Sequence, residues 1–154
     1  MKKQKFEVKR TTEGTVFEVA FLLLAVVTWV IVVMLVNDAP DTIPTHFGLS
    51  GTPNSYGSKY ELYFPCILTT VMGACCLAGA YFPHTVNIPG VPISNNRQAA
   101  LAVRLLRVMG LLVLLLTMAI VGDTLRGHVL FILIVVGALL TACVMFSIFI
   151  YRAK

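Results

Sequence analysis

The sequence predicts an all-α fold, a polytopic membrane protein of four transmembrane helices with an ordered outer loop between helices one and two. Three observations predict it. Of 154 residues, 58% are hydrophobic and 12% charged, with a mean hydropathy of +0.87, whereas soluble domains carry about 25% charged residues. Charge-free apolar runs occupy Val19–Val36, Leu62–Phe82, Val108–Gly122 and Val129–Tyr151, and a hydrocarbon core of roughly 30 Å needs about 20 helical residues. Ten of the twelve Lys and Arg fall on one side of such a four-span arrangement.

Residues 1–15 form a basic tail carrying Lys2, Lys3, Lys5, Lys9 and Arg10. Helix one follows at 16–36. Its apolar run exceeds the roughly 7–15 residues of a signal-peptide h-region and no small-x-small cleavage pattern follows it, so it reads as a retained anchor. Residues 37–60 are the outer loop, and helix two spans 61–82 with Pro65 near its first turn, where a missing N–H is harmless. A cytoplasmic loop at 83–98 leads to helix three at 99–122. To be long enough, that helix must run back through Arg107 and Arg104, whose stems carry their guanidinium groups to the interface. An outer turn at 123–127, helix four at 128–151 and a tail at 152–154 follow.

Four spans put both termini on one side. That side holds ten basic and three acidic residues and the other two and four, giving +7 against −2. The positive-inside rule places the termini and second loop in the cytoplasm and loops one and three outside. The basic charge therefore reads as orientation and attraction to the lipid bilayer. Nucleic acid is not an expected partner, because the chain has no folded basic face to offer it. Arg97, Arg104 and Arg107 share one broad face of helix three, which either anchors anionic lipid or docks a cytoplasmic regulator.

Small residues mark the expected helix contacts: Thr69, Thr70, Gly73, Ala74, Ala78 and Gly79 in helix two, and Gly137, Ala138, Thr141 and Ala142 in helix four. The small-xxx-small pairs Ala74/Ala78 and Ala138/Ala142 suit an internal bundle or a homo-oligomer equally. Cys66, Cys75, Cys76 and Cys143 all lie inside spans without metal-ligand spacing and read as packing residues. Glu18 and Glu61 lie within a turn of an interface and read as solvated carboxylates. No acid occupies a span centre, which weighs against an ion-coupled transporter.

The outer loop has 24 residues and no helical period. Such a length is uncommon unless the segment binds something or is disordered. Ile43-Pro44 extends the chain, Gly48, Gly51 and Gly57 permit turns, and Thr52-Pro53-Asn54-Ser55 reads as a tight turn. Phe47, Tyr56 and Tyr60 suit the headgroup level. The expectation is an ordered loop lying against the membrane, with His46 hydrogen-bonded so as to lock its own loop and Lys59 paired with Asp38 or Asp41. His46, His128 and Asp123 are the metal candidates. They lack tight ligand spacing, so neither a metal nor a cofactor is expected. With no nucleophile elbow, HExxH or phosphate loop, the sequence reads as a binding protein rather than an enzyme.

The run Pro40-Asp41-Thr42-Ile43-Pro44-Thr45-His46-Phe47, followed by Gly51-Thr52-Pro53-Asn54-Ser55-Tyr56-Gly57-Ser58-Lys59, resembles the signature loop of a bacterial membrane family. That family is the uncharacterised domain at the N-terminal part of SdpI-type toxin-immunity and signalling proteins. Its pattern is Leu-Pro, a gap, Ile-Pro-x-His-Phe/Trp, then Gly-x-Pro-Asp, an aromatic, Gly-Ser and Lys; this chain departs from it at Ala39 and Asn54. Pro83-His84-Thr85-Val86-Asn87, with Pro89 and Ile93, is similar to a second segment of shorter members, so the resemblance covers helices one to three. It implies a multi-pass protein of the bacterial inner membrane. Such a protein would bind an extracellular toxin peptide or envelope component through Pro44, His46, Phe47, Gly51, Pro53, Gly57 and Lys59, in immunity or signal relay. In SdpI-type proteins protection is coupled to membrane sequestration of a repressor; those proteins carry further C-terminal helices, and the resemblance implies that second role here only if the sequestering surface does not lie in them. The alternatives are a small transporter or permease subunit, and a structural partner of another membrane complex.

Overall fold

The computed structural model describes residues 11–83 and 93–153. Residues 1–10 of the basic tail and the 84–92 part of the second loop, with His84, Asn87 and Pro89, lie outside the described residues. Four helices, α1 (Thr12–Asp38), α2 (Tyr63–Gly79), α3 (Asn96–Arg126) and α4 (Leu130–Arg152), account for most of the chain. Between α1 and α2 stand an antiparallel hairpin, β1 (Thr42–Phe47) and β2 (Pro53–Ser58), and a 3₁₀ turn at Lys59–Leu62. Among the described residues, four helical segments, the second including that turn, are long and apolar enough to cross a membrane. The chain is a multi-pass membrane protein.

α1 and α3 outrun their expected spans at 16–36 and 99–122 because local capping, rather than hydropathy, sets their ends. Thr11 accepts a hydrogen bond from Gly14 N at 3.1 Å and starts α1, and Asn95 accepts from Gln98 N at 2.9 Å and starts α3; both satisfy first-turn donors. Gly127, left-handed at φ 71°, closes α3. With 31 residues, α3 is roughly 46 Å long and overreaches a hydrocarbon core of about 30 Å.

α3 is the hub on which α1, α2 and α4 pack. The helix with the shortest apolar run in the sequence is thus the one most shielded from lipid, and it buries Gln98, Arg107, Thr117, Asp123 and Thr124. α1 and α4 instead expose Leu, Val and Ile along much of their length.

The contact faces use Thr69, Thr70 and Gly73 of the expected small residues but not the small-xxx-small pair Ala74/Ala78. α2 buries Cys66, Thr69 and Gly73, whereas Ala74 and Ala78 face outward. Glycine decides this. A Cβ on Gly73 would lie 2.9 Å from both the Gly110 carbonyl oxygen and the Phe21 ring, and one on Gly110 would lie 3.0 Å from the Gly73 carbonyl oxygen. The two helices therefore cross backbone to backbone, closer than alanine permits. Next to the crossing, the Thr69 and Thr117 hydroxyls hydrogen-bond at 2.8 Å. On α4, Gly137 and Ala138 also face outward, and α4 meets α3 through contacts such as Cys143 Sγ to Met109 Sδ at 3.7 Å. Trp29 Nε1 of α1 donates to Thr70 Oγ1 at 3.1 Å. Glu18, expected in solvent, accepts a hydrogen bond from Tyr81.

At one end of the bundle, the start of α1, the start of α3 and the end of α4 gather. Asn95 Nδ2 donates to Ala153 O at 2.9 Å and Gln98 Nε2 to Ile150 O at 3.1 Å. Arg104 forks onto both Glu13 carboxylate oxygens at 3.0 Å, and Arg107 lies 3.8 Å from the same carboxylate. Arg107 does not reach out to the interface as expected. It is 5% exposed and runs beside Gly14, where a Cβ would strike its guanidinium. The hairpin caps the opposite end.

Candidate functional site

The outer segment is a β-hairpin, and its reversal falls at Gly48–Gly51 rather than at Thr52–Ser55. Gly48 N donates to Thr52 O and Gly51 N to Gly48 O, both at 2.9 Å. Gly51 has φ 76°, a conformation that costs a side-chain-bearing residue but not glycine. Pro53 instead opens β2. Every strand of a two-stranded ribbon is an edge, so Pro44 and Pro53 sit in it without breaking a sheet interior. The register pairs Ile43 with Gly57, Pro44 with Tyr56 and Phe47 with Pro53, with irregularities on either side of His46. His46 Nδ1 thereby comes to 2.6 Å from Asn54 Oδ1 across the hairpin. The expected locking histidine is in place.

Two side chains fix the hairpin to the bundle. Ile43, 2% exposed, enters an apolar cluster of Val32, Val36, Leu62, Cys66 and Val121, a burial that contributes about 1.5–3 kcal/mol. Lys59 Nζ donates to Ala39 O at 3.0 Å and Asn37 O at 3.3 Å, and pairs with Asp41 Oδ1 at 3.2 Å. Its side chain is 11% exposed and that of Asp41 97%. The ammonium thus sits on the open carbonyl end of α1, where orphan acceptors and the helix dipole favour a cation. Lys59 N also donates to Asp41 O at 3.1 Å. Of the two expected partners, Asp41 is the one used.

Glu61 is not a free interfacial carboxylate. It forms a capping box with Ser58, accepting from Ser58 N at 3.1 Å. Gly57 makes room for this: a Cβ there would lie 2.6 Å from Glu61 Oε1 and 2.9 Å from Thr45 Cγ2.

β1 is the strand that lies on α3. Gly51 nears Val129, and Pro53 nears Gly127, so the hairpin rests over the turn between α3 and α4. Asp123 at that turn is fully buried. Its Oδ2 accepts from Ile132 N at 2.8 Å, capping the first turn of α4, and its Oδ1 lies 3.0 Å from His128 Nδ1 without hydrogen-bond alignment. Asp123 and His128 therefore serve the helix turn, while His46 is spoken for by Asn54. Among the described residues, no group of three or more His, Cys, Asp or Glu is placed to hold a metal ion.

The seven expected loop residues all fall in the hairpin and its clasp. Gly51, Gly57 and Lys59 set its shape, Phe47 and Pro53 pair across it, and of the seven His46 is exposed. Asn54, which meets His46 across the hairpin, is also exposed, as are Leu49, Tyr56 and Tyr60 elsewhere on this segment. Tyr60 stacks on Tyr63 at 6.4 Å, and Tyr63 on Trp29 at 6.3 Å, carrying an aromatic ladder from the hairpin down into the bundle. Asn54 and Glu61 were missed as working parts of this segment. For Glu61 the signal was present, since Ser58-x-x-Glu61 is a capping-box pattern.

Comparison with known proteins places this same segment. Residues 23–70 match the family model described as a domain of unknown function (DUF1648). The match runs from α1 through the hairpin and clasp into α2. No curated protein and no solved structure matches the chain.

Proposed function

We propose that the chain is an inner-membrane protein of the SdpI-like kind, with cytoplasmic termini, that binds an extracellular peptide or envelope component through its hairpin, in immunity or signal relay. One observation carries this reading. The hairpin is held from below by Lys59 and Ile43, and the segment leaves the His46–Asn54 pair and the aromatic side chains Tyr56 and Tyr60 exposed. β1 packs on α3, and β2 is mostly exposed. An extended peptide fits as a third strand along β2, main-chain bonds giving affinity and the flanking aromatics specificity. The asymmetry of Lys and Arg supports the orientation, and the likeness of residues 40–59 to the SdpI-type loop supports immunity.

A toxin-challenge assay in cells producing the chain tests the reading. His46→Ala and Tyr56→Ala lower protection at unchanged protein level, and Lys59→Ala lowers it by loosening the hairpin. Full protection by both surface variants sinks the proposal.

A further inference from the structure

At the end of the bundle away from the hairpin, α3 and α4 border an open pocket of about 340 Å³ lined by the exposed Arg97, Arg104 and Arg152, with Leu101 and Phe149 as its apolar wall. From this arrangement we infer a second binding site, one for a phosphate group, separate from the hairpin. Three arginine side chains from two helices line one space, and among the described residues no carboxylate-bearing residue lines it. Among the described residues, no acid pairs with Arg97 or Arg152. Arg104 is held by Glu13 through Nε and Nη2, which fixes the plane of its fork and leaves Nη1 outside that pair. Planar forks of this kind match phosphate oxygens, which is why arginine rather than lysine dominates such sites.

The level in the membrane agrees with a lipid source. Arg97 lies in the first turn of α3 and Arg104 two turns further in, roughly 10 Å apart along the axis. The pocket therefore spans from the headgroup zone to the upper hydrocarbon. Phe149, which is exposed, and Leu101 give an acyl chain an apolar surface below the phosphate. Basic pockets between transmembrane helices are a recurrent way of holding anionic headgroups. Arg107, on the same helix, is excluded from the pocket by its contact with Glu13 and Gly14.

The test uses the full chain in nanodiscs and in neutral detergent. Native mass spectrometry measures retention of phosphatidylglycerol against phosphatidylcholine, and titration calorimetry measures inorganic phosphate. The expected result is preferential retention of phosphatidylglycerol, weakened about fivefold by Arg97→Gln and again by Arg152→Gln. Arg97→Lys and Arg152→Lys restore part of it, and Arg126→Gln at the hairpin end has no effect. Binding of inorganic phosphate with no lipid preference, lost in the same two Gln variants, also supports the pocket and assigns it to free phosphate. Equal retention of both lipids with no phosphate binding overturns the inference, as does an equal loss in Arg126→Gln. Gel filtration of each variant separates loss of the site from loss of the fold.

Discussion

Replacing Lys59 with methionine keeps the buried stem and deletes the ammonium. The Asn37 and Ala39 carbonyls at the end of α1 then lose the donor that lies 3.3 and 3.0 Å away. A hydrogen bond to a charged group contributes about 1.5–3 kcal/mol net. Taking the low end for each, because the buried ammonium is also relieved of its desolvation, the clasp holds the hairpin down by about 3 kcal/mol. That is roughly a 150-fold change in an opening equilibrium. The ion pair with Asp41 adds little, since a partner 97% exposed is screened by water. Lys59→Met and Asp41→Asn should therefore behave very differently, although each breaks the same salt bridge.

Hydrogen–deuterium exchange in nanodiscs reads this directly, because local opening exposes amides without global unfolding. In Lys59→Met the amides of Gly48, Gly51 and Lys59, each bonded within the hairpin or to its base, should exchange about 100-fold faster while the middle of α3 is unchanged. In Asp41→Asn the change should stay below about threefold. Equal effects of the two substitutions, or no effect of Lys59→Met, would refute the clasp as the element that holds the hairpin.

Three further outcomes are expected. Gly73→Ala should destabilise the bundle by about 1–3 kcal/mol in a detergent unfolding series, since the new methyl meets the Gly110 carbonyl and Phe21; Gly137→Ala, with nothing within 4 Å, should be neutral or slightly stabilising. Asp123→Ala should cost about 1–2 kcal/mol by uncapping α4, whereas Asp123→Asn, which keeps an acceptor, should cost less in the same series. In a cysteine-free background, Ser50→Cys should react with an impermeant maleimide added to intact cells and Asn96→Cys only after permeabilisation, the reverse pattern inverting the orientation.

The four spans were legible because hydrocarbon imposes length and apolarity on any helix that crosses it, and those two properties are written residue by residue. The hairpin was not. Its strands contain Pro44, Pro53 and Gly57, types that depress strand propensity, and its order comes from Lys59 and Ile43 contacts with segments up to 78 positions away such as Val121. A histidine able to lock its own loop was inferable from residue chemistry, yet its partner Asn54 was not, because two irregularities in the register set which residue faces it. On helix two the small residues Thr69, Thr70 and Gly73 were legible as contacts, but Ala74 and Ala78 read the same way and face outward. Gly73 and Ala74 are adjacent and both small, and only the packed backbone shows that the crossing needs the residue with no Cβ at all. Glu13 gave no sequence signal, since its two arginine partners lie more than ninety positions on.

The two ends and the middle of α3 are held by different forces, and the solvent explains the division. Lipid tails are as apolar as leucine, so burial of side chains gives no drive for helices to meet in the hydrocarbon. The middle accordingly relies on close approach at Gly73 and Gly110 and on the Thr69–Thr117 hydrogen bond. At the hairpin end, water lies beyond the bundle and the hydrophobic effect returns. Ile43, brought in from a polar segment, gains its full transfer energy in the cluster with Val121. At the other end charge replaces burial, with Glu13 joining α1 to Arg104 and Arg107 of α3. Sensitivity to substitution should follow the same division: shape in the middle, apolar volume beneath the hairpin, and charge where the termini gather. A polar substitution at Ile43 should thus lift the hairpin while leaving the α2–α3 crossing intact, because the two contacts draw on different solvents.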